Sequence, residues 1–226
     1  MSDSIYATVL GDDFHRLHPK IQERFGFNSK SRKRAIGRGV MERVWRGKFF
    51  AIPFLVVGTW RNIMFPDQGE NVPFTIENWA YVDSFGRETL TELRTFKLGQ
   101  ERRFDAYMVR HPIRNQVVDY MGTHQHLAVD LHLSVAENGG LRIESGEQRF
   151  YEGPIAFKFP MFFSGKAYVY VWFDEETGKY RIEVDVKNKF WGTLFGFVGT
   201  FDVEWEEVDP DNIPKAIMPK REESRY

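Results

Sequence analysis

Three of the six histidines stand in one run, Thr123-His124-Gln125-His126-Leu127-Ala128-Val129-Asp130-Leu131-His132-Leu133. Alternate side chains of an extended chain share a face. His124, His126, Ala128, Asp130 and His132 therefore point one way, and Gln125, Leu127, Val129, Leu131 and Leu133 the other. Two imidazoles at this spacing can converge on one divalent ion, with Asp130 or a cross-strand Glu147 as third ligand and a position left for water. The same histidines titrate near neutral pH and could work with Glu147 in general acid–base chemistry. The opposite face is almost continuously apolar and has the stronger claim on the core, so the histidine face meets solvent or a wet cavity. A metal is not the favoured reading, because the fixed downstream spacing of metal motifs is missing.

A second pattern places charges among apolar neighbours of one strand face. Glu92 and Arg94 lie between Leu90 and Phe96, and Glu147 and Arg149 fall in line with Leu141, Ile143 and Tyr151. Opposite charges two residues apart partly neutralise one another, yet their desolvation is costly unless they are paired or used. They read either as structural ion pairs or as the polar floor of an apolar pocket that orients a carboxylate, hydroxyl or amide. Other chemistry is excluded. With no Cys there are no thiolate nucleophiles, disulfides or cysteine-held metals, no G-x-S-x-G elbow occurs, and Gly37-Arg38-Gly39 lacks the rest of a phosphate loop. Lys and Arg number 31 against 32 Asp and Glu, for a net charge of −1, which argues against nucleic acid as a partner. The sequence names no cofactor.

The elements that must hold these residues follow from periodicity. Between Ser4 and Phe25 the apolar positions recur at three and four, which predicts two short helices, the second opened by Pro19. Asn28 to Arg34 reads as a basic exposed loop. Residues 35 to 46 fit either a helix or a strand, with Gly37 and Gly39 favouring the strand. Phe49 to Met64 is predicted helical. Its apolar core, Phe49 to Gly58, is about half the ~20 residues of a membrane span and reads as buried or ligand-facing.

Beyond Asn71, runs rich in β-branched and aromatic residues alternate with turns, predicting strands near 73–83, 88–98, 102–110, 116–122, 125–136, 140–151, 166–174, 179–188 and 197–207. Pro154 to Phe163 reads as a helical turn plugging the sheet, and the tail from Asp209 as a fraying end. Some nine antiparallel strands cannot stay flat. The expected fold class is α+β, mainly antiparallel, in one domain: a long curved sheet or barrel with N-terminal helices covering or plugging it.

Several motifs occur together: GTWRNIMFP (58–66), PFTIENWAYVDSFGRET (73–89), GTHQHLAVDLHLSV (122–135), SGEQRFYEGP (145–154) and WGTLFGFVGTFDVEW (191–205). In that order the chain resembles the bacterial domain of unknown function four-one-six-six over about residues 5–207. The resemblance implies a self-contained accessory or ligand-handling domain and brings no reaction. The leading expectation is a cytoplasmic binding module whose aromatic-lined cavity takes a small apolar or amphipathic molecule, with Glu92, Arg94, Glu147, Arg149, His124 and His126 around it. The alternatives are an enzyme centred on His124, His126 and Glu147, and an interaction domain presenting Trp60, Phe65 and Trp191. An acidic N-terminus and the absence of a long apolar run argue against a secretory leader or a membrane span.

Overall fold

The computed structural model describes residues 4–160, 164–209 and 212–226. The N-terminal periodicity resolves into α1 (Ile5–Leu10), capped by the Ser4 hydroxyl, a 3-10 turn over Gly11–Arg16, and α2 (Pro19–Phe25). The ambiguous segment is strand β1 (Lys33–Arg46). Its glycines explain why: a Cβ at Gly39 would sit 2.0 Å from the Thr200 carbonyl oxygen and 2.5 Å from Phe201 Cα, so the neighbouring strand can approach only a bare backbone. A helix α3 (Ile52–Thr59) follows, shorter than the predicted 49–64 because a 3-10 turn takes 49–51 and the chain turns back after Thr59, where Arg61 N and Ile63 N both donate to the Gly58 carbonyl and Asn62 takes a φ of 55°.

Nine further predicted strands are present as β2 (Gly69–Val82), β3 (Glu88–Leu98), β4 (Gln100–Arg110), β5 (Val117–Met121), β6 (Leu127–Val135), β7 (Leu141–Glu152), β9 (Lys166–Asp174), β10 (Lys179–Asn188) and β11 (Gly192–Glu207). β8 (Ile155–Lys158) is an addition. The expected helical turn of 154–163 is instead an exposed hairpin arm on β7 over 155–158, while 161–163 lie outside the described residues.

The strands run in the order β6-β5-β4-β3-β2-β1-β11-β10-β9-β7, and β6 also pairs with β7, closing a ten-stranded antiparallel barrel with β8 outside the ring. Closure removes the open edges that so long a sheet would otherwise expose. The inward residues are strongly aromatic. Phe65, Phe74, Phe96, Phe104, Phe195 and Phe197 pack at centroid separations of 4.9–6.5 Å, most of them edge to face or tilted. α1 and α2 close one end, sending Ile5, Tyr6, Phe14, Leu17, Ile21 and Phe25 into this core; α3 closes the other with Ala51 and Leu55.

A second apolar cluster lies on the outer wall, where Trp79, Leu93, Tyr107, Val118, Tyr120 and Tyr151 are covered by Ile217 with Val208, Ile213 and Tyr226. The tail does not fray as expected. Lys220 N donates to the Thr123 carbonyl, Glu223 N to Gln125 Oε1, and the Tyr120 hydroxyl to the Arg225 carbonyl, so the tail straps the barrel.

Candidate functional site

Two hairpins and one helix bring four ionisable side chains into the barrel. On β3, Glu92 and Arg94 alternate inward with Leu90 and Phe96; Glu92 stands opposite Asn78 on β2 and the small Ala106 on β4. Arg94 donates to Glu92, and its guanidinium lies 4.7 Å from the centre of the Phe104 ring. β5 adds Asp119, paired with Val129 across the β6 register. From the plug, α2 inserts Arg24.

Arg24 is the least conventional of the four. It is 1% exposed, its guanidinium sits 4.7 Å from the Phe201 ring centre, and Nη2 donates to Asn78 Oδ1 at 3.4 Å. Among the described residues no carboxylate reaches ion-pair distance of it, and Nε and Nη1 have no partner. Burial lowers its pKa, opposed by Glu92 from farther off. Arg94 Nε and Asp119 Oδ1 are likewise buried without partners. Tyr6 completes the group: its hydroxyl donates to Met108 Sδ at 2.9 Å, and burial, then Glu92 and Asp119, push its pKa well up.

Burial also pushes the Asp119 carboxyl up to about 7, against the pull of Arg94. Between its ordinary pKa and about 7 the folded chain holds a proton that the unfolded chain has lost, so this group's contribution to stability falls as pH rises through that window. Asp119→Asn is therefore expected to raise the unfolding free energy by about 2–3 kcal/mol at about pH 8 and to change it little at about pH 4. Urea denaturation at the two pH values checks this; a difference that does not grow with pH would contradict the assignment.

The expected single face of residues 141–151 is broken. The β6–β7 register shifts between Val129 and Leu131: Leu131 faces Ser145, whereas Val129 faces Gln148. This bulge over 146–147 reverses the faces, leaving Leu141 and Ile143 in the core while Glu147 and Arg149 turn outward. Outside, Arg149 Nη1 binds Glu147 at 3.0 Å and Asp130 at 3.1 Å; Arg114 binds Asp130 at 3.0 Å and Lys158 binds Glu147 at 2.7 Å. Hydrogen bonds from Lys158 and Arg149 hold the Glu147 carboxyl below its ordinary pKa.

β6 begins at Leu127, so His124 and His126 lie in the loop before it rather than on the strand, where Gln125 takes a φ of 49°. Their rings stack at 5.7 Å. His126 Nδ1 lies 3.0 Å from both the Tyr151 carbonyl and Glu152 Oε2, while His124 Nδ1 meets Thr123 Oγ1 at 3.1 Å. Burial, then Arg61, lowers the His124 pKa. Glu147 is engaged with cations rather than with either imidazole, and Asp130 is clamped by two arginines. Among the described residues no three His, Asp or Glu side chains are grouped to hold a metal.

The structure thus keeps Glu92 and Arg94 inside and places Glu147, Arg149, His124 and His126 outside. It adds Arg24, Asp119 and Tyr6, which the sequence reading passed over. One signal for Arg24 was present: it lies three residues after Ile21 and seven after Leu17, on the apolar face of α2. Two clefts, of about 740 and 310 Å³, open at the surface, one beside the tail and one beside α1, and neither is lined by the inner cluster.

The family model for a domain of unknown function (DUF4166) matches residues 17–201, from just before α2 into β11. The uncharacterized protein YndH of Bacillus subtilis (strain 168) is 31% identical over 205 residues, covering 90% of this chain and 98% of that protein. No solved structure matches.

Proposed function

The chain belongs to the DUF4166 family, and from that premise, which supplies a unit of structure but no chemistry, we propose that it is a one-domain, cytoplasmic small-molecule binding module. Its ligand is amphipathic: an acidic group meets Arg24 and Arg94 at the plug end, and a hydrocarbon portion runs among the phenylalanines. The observation that carries this reading is Arg24, a cation buried in an aromatic interior without a carboxylate beside it. Burying an unpaired charge is costly, and an anionic ligand would offset that cost with charge-assisted hydrogen bonds to Nε and Nη1. Glu92 already occupies Arg94 Nη2, and Asp119, its carboxyl pushed up to about 7 by burial, competes at pH 7 with only part of a full charge. The middle of the barrel is filled by rings, so the hydrocarbon takes its place by displacing ring contacts.

Dodecanoate and dodecanol test this as probes of equal length. Dodecanoate is expected to raise the melting temperature and dodecanol to do so less. Arg24→Met is expected to keep the fold and weaken dodecanoate binding about 30-fold or more while barely affecting dodecanol. If neither probe shifts the wild-type transition, or if Arg24→Met binds dodecanoate unchanged, the reading fails.

A further inference from the structure

The α3 end of the barrel carries an apolar surface that the ligand reading does not use. The segment from Phe49 to Gly58 reads in the sequence as buried or ligand-facing. Only part of it is buried: Ala51, Leu55 and Gly58 face the core, whereas Phe49 is 81% exposed, Phe54 60%, Val57 57% and Trp60 76%. A helix that is apolar all round, yet covers the barrel with one side only, leaves the other apolar side outward. The β10–β11 turn continues this surface. Phe50 packs on Trp191 at 5.2 Å, and Phe190 and Trp191 are themselves exposed. Single exposed apolar residues are ordinary, but a contiguous group centred on one helix is not.

Charge chooses the occupant. The two aromatic segments, 48–64 and 187–195, contain no Asp or Glu, and their charged residues are all basic: Lys48 and Arg61 flank α3, while Lys187 and Lys189 precede Phe190. Lys48, Arg61 and Lys189 are exposed, with no ion-pair partner among the described residues. Lys187 pairs with Asp185. The exposed acids of this end, Glu70, Glu101 and Glu152, belong to strands outside the two segments. Aromatic rings set between long cationic side chains suit the boundary between headgroups and acyl chains, where the rings enter and the cations remain with anionic lipid. No helix of the described residues is long and apolar enough to cross a membrane, so contact of this kind lies along the surface.

We propose that this end of the barrel docks on an anionic lipid bilayer, with Phe49, Phe54, Val57 and Trp60 inserted and Lys48, Arg61 and Lys189 around them. This holds whether or not the barrel binds a ligand. Co-sedimentation of the full chain with vesicles of phosphatidylcholine and phosphatidylserine, against phosphatidylcholine alone, tests it. Binding is expected only to the mixed vesicles, weakening as salt is raised, with a blue shift of Trp fluorescence that Trp60→Phe reduces. Phe54→Ser with Trp60→Ser is expected to lower binding at least about tenfold at an unchanged melting temperature, because both side chains are exposed. Lys48→Glu with Lys189→Glu should lower it similarly on mixed vesicles. The proposal is overturned if the wild type ignores mixed vesicles at low salt, or if the serine variant binds them equally. A dimer that dissociates on the same serine substitutions, with no vesicle binding, would assign the surface to a second copy and overturn it as well.

Discussion

Arg94→Met is expected to lower the unfolding free energy by about 3 kcal/mol or more, because it strands Glu92 as a buried carboxylate without its cation. Arg24 donates to Asn78 and makes no ion pair with Glu92, so it does not replace the lost partner without moving. Combining Arg94→Met with Glu92→Leu is expected to recover most of that loss, or to exceed the wild type, since a buried ion pair seldom outperforms well-packed hydrocarbon of similar volume. The pair of results matters for function. If the doubly apolar variant is as stable as the wild type, the charges are not needed to hold the barrel, and their presence calls for a ligand. Chemical denaturation of the three proteins decides it; a double variant as unstable as Arg94→Met would make the pair structural.

The second large effect concerns the strap. Glu223 is 3% exposed and takes hydrogen bonds from Arg225 Nε and Nη2, both at 2.7 Å, and from Arg221. Burial works upward on its carboxyl, but the hydrogen bonds from Arg225 and Arg221 prevail and hold it down at about 2. Its contribution is therefore complete above the ordinary glutamate pKa and is lost as pH falls toward about 2. Deleting residues 209–226 uncovers Tyr107, Val118, Tyr120 and Tyr151 on the outer wall and is expected to cost about 5 kcal/mol. Glu223→Ala is expected to cost about 2 kcal/mol near neutral pH and progressively less in acid. Thermal unfolding across pH measures both. The strap lies beyond the portion matched by the family model, so its loss tests whether the matched portion folds alone.

The ends of most strands were legible because period-two alternation and turn residues are local properties: β3, β9 and β10 run where alternation puts them. β8 was missed because Ile155-Ala-Phe-Lys158 is too short to show a period and exists through its partner strand. The tail misled for a similar reason. A prolyl, charged sequence looks unstructured until a wall of tyrosines offers its backbone hydroxyl donors.

The inner pair Glu92–Arg94 was readable as charge set among apolar neighbours of one face. The outer pair Glu147–Arg149 carried the same local signature and came out on the other side, since a bulge opposite Asp130 shifts the register, and one slipped residue exchanges the faces of everything beyond it. Arg24 and Asp119 sit far from Glu92 in sequence and share the interior with it because β4 sets β5 two strands from β3 and a helix plugs the barrel end. The sequence by itself determined the strands, the aromatic interior and the balance of charge, all set by neighbours along the chain. Which charges became neighbours was left to barrel closure, because strand register and helix docking depend on contacts between residues distant in sequence.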